Sequence, residues 1–284
     1  MSDENGTTAP VMTPDFERRF GGLRRLYGQE GAQRIFDAHV VVVGIGGVGS
    51  WSVEALARSG VRRLTLIDLD HVSESNINRQ IHALDATLGQ SKALAMRDRI
   101  AMYHPACVVD VIEEFVTPEN WPMLLDGARG EADMRPKGLI DACDQMRAKT
   151  SLAAWAVGNR LPFVTVGAAG GKRLAHAMEV ADLAVVTHDP LLAQLRYQLR
   201  KHHGGARNGP MGVSCVFSRE AVSPPDASCA LADAADGSLN CHGYGSAVSV
   251  TASFGMAAAG ALMNAIASFS KSPASLENSS KITL

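Results

Sequence analysis

The chain has 284 residues, 27 Lys+Arg against 29 Asp+Glu, a formal net charge of -2, and 46% hydrophobic residues. That balance excludes a disordered polyion and a protein coated in positive charge for general nucleic-acid binding, DNA included, while leaving room for a local basic patch. The length allows one large domain or two small ones, with a substantial core either way.

Residues 1–14 are polar and acidic without an apolar run, so they read as a disordered N-terminus and not as a secretory signal. Residues 15–37 carry helical spacing and five arginines, Arg18, Arg19, Arg24, Arg25 and Arg34. His39–Gly44 is a continuous apolar run ending in glycines, the pattern of a central parallel strand. Val48–Ser59 follows as a helix and Leu64–Asp70 as a second strand ending in acids. Ser91–Tyr103 is helical, Val108–Ile112 strand-like, Gly138–Asp141 a short strand, Met146–Asn159 a helix, and Phe163–Gly167 a strand running into the Gly-rich 167–171 segment. Leu191–His203 reads as a further helix, and residues 204–243 as an ordered or mobile loop rich in Gly, Pro, Ser and Asp. Strands alternating with helices at this spacing imply a doubly wound, mostly parallel α/β sheet of Rossmann type with an extended C-terminal part. Residues 271–284 form a tail.

Gly243–Ser270 contains no charged residue and exceeds the roughly 20 residues that span a bilayer. It is dominated by Ala, Gly, Ser and Thr, which contribute little to insertion, so it reads as a buried, tightly packed helix and membrane association is not expected. Its Gly255–Gly260 pair would let another helix approach closely, including one across a dimer. The five cysteines, Cys107, Cys143, Cys215, Cys229 and Cys241, form no C-x-x-C pair. Paired zinc ligands are therefore absent, and the odd, irregular set fits reduced thiols in the cytoplasm.

Gly44-Ile-Gly46-Gly47-Val-Gly49 is a G-x-G-x-x-G loop directly after a strand and opening a helix. Glycines there allow the tight turn and close approach of a phosphate, and the helix N-terminus offers free N–H groups to it. Asp68, about twenty residues on at a strand end, sits where a ribose hydroxyl is gripped. To that point NAD and ATP are equally served. Asn76, Arg79 and Lys92 then follow in order, and that much donor capacity and positive charge suits a triphosphate. Asp141 and Asp144 end a later strand; Asp144 reads as a Mg²⁺ ligand beside the phosphates, and Asp141 as either a second one or a helix cap.

The order GIGGVG (44–49), LIDLD (66–70), SNINRQ (75–80), GQSK (89–92) and DACD (141–144) resembles the ThiF/MoeB/HesA superfamily of ubiquitin-activating-enzyme-like adenylyltransferases. The resemblance implies carboxylate activation by ATP, giving an acyl-adenylate and pyrophosphate, within one domain over about 15–270 whose ATP-binding half is about 15–170. The implied ATP-binding set is Gly44, Gly46, Gly47, Gly49, Asp68, Asp70, Asn76, Arg79, Lys92, Asp141 and Asp144, with Arg79, Lys92 and Asp144 catalytic. It also implies a homodimer in which an N-terminal arginine, Arg19 or Arg25, reaches the neighbouring ATP site. Family members commonly hold zinc with two CxxC pairs, which this chain lacks. The phrases RRFGGLRRLYG (18–28), NRQIHAL (78–84), EEFVTPEN (113–120), VTVGAAGGK (164–172), HDPLLAQLR (188–196) and GVSCVFSREA (212–221) are similar to the family's tRNA threonylcarbamoyladenosine dehydratase branch and extend the likeness to nearly the whole chain.

That branch implies a tRNA substrate whose threonylcarbamoyl carboxylate is adenylated and then closed into a ring by a nitrogen of the same modification, with no enzyme nucleophile required. A local basic patch is available in Lys172, Arg173, Arg196, Arg200, Lys201 and Arg207, with Tyr197 for stacking; its bland alternative is a solvated helix face. Cys229 and Cys241 are candidate reactive thiols for a cysteine desulfurase and sulfur-acceptor system. The Gly167–Gly171 turn with Asp182 and Asp189 also permits a monovalent cation, Na⁺ or K⁺. Two other readings share the loop: an adenylyltransferase for a ubiquitin-like sulfur carrier, and a nicotinamide dehydrogenase, in which Arg79 and Lys92 have no use.

Overall fold

In the computed structural model, residues 14–126, 135–224 and 244–269 are described. The 271–284 tail, most of the expected N-terminal segment, and Cys229 and Cys241 lie outside them. His39–Val43 forms strand β1, buried at every position. Val40 and Val42 enter one core cluster and Val41 and Val43 another, so the strand is apolar throughout because both of its faces are covered. The same two-sided burial explains β2 (Arg63–Ile67), β4 (Gly138–Asp141) and β5 (Phe163–Val166). The remaining strands are β3 (Val108–Ile112), β6 (Met178–Asp182) and β7 (Ser214–Ser218).

Among the described residues these strands make one seven-stranded sheet in the order β3-β2-β1-β4-β5-β7-β6. All neighbouring pairs are parallel except β6, which runs antiparallel to β7 at the edge. The expected doubly wound, mostly parallel class is therefore the one observed. Helices α2 (Gly22–Phe36), α3 (Gly49–Arg58), α4 (Lys92–Ala101) and α7 (Val248–Ser268) supply one core cluster, and α5 (Met146–Gly158) and α6 (Pro190–His202) the other.

Three boundaries depart from expectation. The helical stretch at 15–37 is split: α1 covers only Phe16–Phe20, and α2 carries a break at Gly28 (φ 72°). The second strand stops at Ile67, and Asp68–Asp70 already belong to the loop that follows. Residues 204–243 are not simply a loop, because β7 lies within them and is one strand in from the sheet edge, with Cys215 fully buried.

α7 is long and apolar enough by composition to cross a membrane, yet 56% of its apolar window is buried inside the fold. It packs on α3. A Cβ at Gly255 would overlap the Val48 carbonyl oxygen and lie 2.7 Å from the Trp51 Cβ, so this glycine serves an intrachain contact and not a dimer contact; a Cβ at Gly260 would meet nothing within 4 Å. In an exposed helix Gly→Ala gains about 1 kcal/mol. Here the sign reverses: Gly255→Ala should lower stability by about 1–3 kcal/mol through overpacking, read as a lower thermal midpoint.

Candidate active site

In a sheet of this kind ligands bind at the carboxyl ends of the strands, where the strand order reverses. Here that point lies between β1 and β4. Gly44 follows β1 with φ +85°, a conformation that favours glycine. A Cβ there would also sit 2.9 Å from the Ala142 carbonyl group and the Cys143 nitrogen, so the loop lies against the turn after β4. A Cβ at Gly49 would overlap the Gly44 oxygen, whereas one at Gly46 would meet nothing within 4 Å. Gly46 thus borders open space. The N-cap position of α3 is Val48, with no capping side chain; Ser50 N–H already donates to Gly46 O at 3.1 Å and Trp51 N–H to Val48 O at 3.2 Å, so the N–H groups offered to a ligand are those ahead of them in the glycine loop.

The other expected residues gather around this loop. Asp68 is buried; its Oδ2 accepts from Ile45 N–H at 2.5 Å and its Oδ1 from Asp70 N–H at 2.8 Å. Burial raises its pKa, while Lys92 and those two N–H groups pull the other way. The Arg79 stem lies 3.3 Å from a Cβ placed on Gly47, and its Nη1 donates to Ser75 O at 2.7 Å. Asn76 is buried in a short turn, its Oδ1 accepting from Ser73 N–H. Lys92, at the start of α4, pairs with Asp70 at 2.7 Å. Asp144 is exposed after β4.

Asp141 is a correction. It is fully buried, and its Oδ2 faces the fully buried Lys149 ammonium at 2.7 Å and takes the Thr165 hydroxyl at 2.6 Å. Its Oδ1 accepts from Cys143 N–H at 3.2 Å and from the Cys143 thiol at 2.9 Å. It is therefore neither open to ATP or Mg²⁺ nor the cap of α5, whose N-cap is Gln145. Burial opposes the charge on Lys149, and the facing Asp141 outweighs it, holding the ammonium above its ordinary range. Lys149 was missed because nothing in a helical lysine eight residues past an aspartate signals a buried pair.

The basic patch is also corrected. Lys172 is buried, donating to Ser218 O at 3.1 Å and Glu220 O at 2.9 Å. Arg196 donates to Leu183 O and Val186 O, and Arg200 to Ala206 O and Arg207 O, so both are tied to the backbone. α6 starts at the carboxyl edge, where Asp189 accepts from Leu192 N–H and Ala168 N–H, and runs to the loop that enters β7. Its basic end therefore lies at the edge of the sheet opposite the glycine loop. Lys201 and Arg207 are exposed there, Lys201 lying 5.4 Å over the Tyr197 ring.

Asp182 and Asp189 do not form a cation site. Asp182 accepts from the N–H groups of Ala184, Met211 and Gly212 where β7 begins, and Asp189 from those of Ala168 and Leu192 past the end of β5, so the two carboxylates lie at opposite ends of the strands and do not share one ion. Of the N-terminal arginines, Arg19 donates to Tyr103 O of its own chain at 2.6 Å, while Arg25 is exposed. The described thiols are poor nucleophiles: burial pushes Cys107 up to about 12 and also raises Cys143 and Cys215.

Beside Lys92 lies His82, 1% exposed, with no hydrogen-bond partner on either ring nitrogen. Burial, then the charges of Lys92 and Arg99, lower its pKa from 6.5 to about 4. It is neutral in the folded chain and protonates more readily when unfolded. Its contribution is complete above about pH 6.5 and is lost as pH falls toward about 4, a change of at most about 3 kcal/mol. Urea unfolding across this range should show that slope, reduced in His82→Gln.

The model of the ThiF family matches residues 20–282. The chain belongs to the ThiF family. Within it, the tRNA threonylcarbamoyladenosine dehydratase of Escherichia coli (strain K12) is 43% identical over 256 residues, 87% of this chain and 93% of its own. A crystal structure of the E. coli enzyme, TcdA, in complex with ATP is similar at a TM-score of 0.76 and 41% identity, covering 90% of this chain and 96% of that one. The molybdopterin-synthase adenylyltransferase of E. coli (strain K12) is 36% identical over 144 residues, 50% of this chain and 54% of its own.

Proposed function

We propose that this chain catalyses the ATP-dependent dehydration, a ring closure, of N6-threonylcarbamoyladenosine next to the anticodon of tRNA. The observation that carries this reading is the extent of the likeness. The dehydratase relative spans 87% of the chain, whereas the molybdopterin-synthase adenylyltransferase spans 50%. The threonyl carboxylate attacks the α-phosphorus of ATP, giving an acyl-adenylate and releasing pyrophosphate. A nitrogen of the same modification then attacks the activated carbonyl and AMP leaves, for a net loss of water. Because the second step is intramolecular, holding the nucleotide in place supplies much of its rate.

The site residues fit these roles. The N–H groups of the glycine loop take phosphate oxygens, and Arg79, Lys92 and Asn76 face the charge that builds on the leaving pyrophosphate. Asp68 keeps unoccupied lone pairs for a ribose hydroxyl beside the two N–H groups that it already accepts. Among the described residues no group of three or more His, Cys, Asp or Glu side chains is placed to hold a metal ion. Asp144, one exposed carboxylate beside the loop, fits Mg²⁺, an ion that takes one or two carboxylates and shares phosphate oxygens. When bound, the ion adds positive charge against the phosphates. The tRNA nucleotide enters at the carboxyl edge, and Lys201 and Arg207 serve backbone phosphates remote from the reacting group. In a homodimer, Arg19 or Arg25 reaches the neighbouring site; both are exposed, and Arg25 is favoured because Arg19 already donates to Tyr103 O.

The test is direct. Purified protein with Mg²⁺, ATP and tRNA carrying threonylcarbamoyladenosine should give the dehydrated nucleoside by mass spectrometry, together with AMP and pyrophosphate. Intact ATP binding with unchanged tRNA would overturn the reading. Pyrophosphate exchange that depends on a small carrier protein and not on tRNA would select the adenylyltransferase alternative.

A further inference from the structure

Lys149 and Asp141 form an ion pair with no exposed surface on either side chain. Such a pair adds little net stability, because the cost of desolvating both charges offsets their attraction. Its surroundings give it a different use. The Lys149 ammonium also donates to Thr165 Oγ1 at 3.0 Å and Val166 O at 3.1 Å, so it is fixed to β5 as well as β4. Asp141 passes that order onward by taking Cys143 N–H and the Cys143 thiol. Between them Ala142 N–H donates to Val43 O at 2.8 Å, and the Ala142 carbonyl is where a Cβ on Gly44 would strike. One face of the turn is therefore pinned by the ion pair and the other rests on the phosphate loop. Asp144 is the next residue along that turn.

We propose that Lys149 is a positioning residue for the adenylating site: through Asp141 it holds the 142–144 turn against the glycine loop and sets where Asp144 meets Mg²⁺ and ATP. This rests on the reading of Asp144 given above. Lys149 does not touch the nucleotide and carries no proton in the reaction. Its effect reaches the site through Asp141 and Cys143, as the outer partners of metal ligands act elsewhere.

The test is calorimetric binding of ATP to the full chain at a series of Mg²⁺ concentrations, with circular dichroism to establish folding. Lys149→Met should raise the Mg²⁺ concentration for half-maximal ATP binding by about ten-fold. Thr165→Val keeps the ion pair and removes one hydrogen bond from Asp141 and one from Lys149, and it should fold and shift the same quantity by about three-fold. A merely structural pair would lower the melting temperature without moving the Mg²⁺ dependence. Folded Lys149→Met and Thr165→Val with wild-type Mg²⁺ dependence overturn the proposal. If Lys149→Met does not fold, Thr165→Val decides alone, a shift supporting the proposal and no shift overturning it. A wild-type chain that binds Mg²⁺ and ATP but leaves tRNA unchanged would remove the proposed reaction while leaving this measurement intact.

Discussion

Lys92→Ala is expected to slow adenylate formation by about 10²–10³-fold while leaving the chain folded. The two halves of that statement have separate grounds. The Lys92 side chain is 9% exposed and its ammonium sits at the start of α4, paired with Asp70. A fixed charge shielded from water in this way acts strongly on charge developing at the leaving group. Its partner in the free chain, Asp70, is 53% exposed, so deleting the lysine leaves an anion that water solvates, at a cost of about 0–1 kcal/mol. Single-turnover release of pyrophosphate with the modified tRNA measures the first half, and thermal unfolding the second. Wild-type turnover in Lys92→Ala would take this residue out of the site.

The parts of the molecule legible in the sequence are those whose physical cause is local. β1 announces itself as four consecutive valines because it is covered on both faces. The glycine loop is visible because two of its glycines are demanded by backbone approach and one by φ. Residues 76–92 are legible through their order, and the fold brings Arg79 against Gly47 and Lys92 against Asp70. What was hidden depends on contacts between distant segments. β6 is an edge strand of half-buried residues, Met-Glu-Val-Ala-Asp, and carries no apolar run. Lys149 looks like any helical lysine until Asp141 and Thr165 close around it. The cluster at 196–207 reads as a patch because its charges are consecutive. Only the direction of α6 shows that it faces away from the chemistry, and only hydrogen bonds to carbonyl oxygens show that Arg196 and Arg200 are already engaged.

This placement narrows how an RNA can be held. The reacting nucleotide must reach the carboxyl edge, where the glycine loop and the exposed Asp144 lie. Lys201 and Arg207 can then act only through phosphates at a distance. Phosphate contacts position and do not specify, so their loss should appear in tRNA affinity and its salt dependence and not in the chemical step.

The glycines of the loop give the second large effect, with opposite signs at neighbouring positions. Gly44→Ala must place a side chain at φ +85°, which costs about 1–2 kcal/mol. The new Cβ would also lie 2.9 Å from the carbonyl of Ala142 and the nitrogen of Cys143. Those are backbone atoms held by Val43 and Asp141, so neither can swing aside. The expected loss is about 2–5 kcal/mol, with ATP binding falling because loop and turn are forced apart. Gly46→Ala meets nothing within 4 Å and needs no left-handed backbone. By restricting the unfolded chain it should raise stability by about 0.4–1 kcal/mol. It should nonetheless weaken ATP binding, because the open space beside Gly46 is where a phosphate must come against the backbone. Denaturant unfolding and ATP calorimetry on the two variants separate the roles: Gly44 builds the loop, and Gly46 leaves room for the ligand. A Gly46→Ala chain that binds ATP as wild type does would move the phosphates elsewhere on the loop.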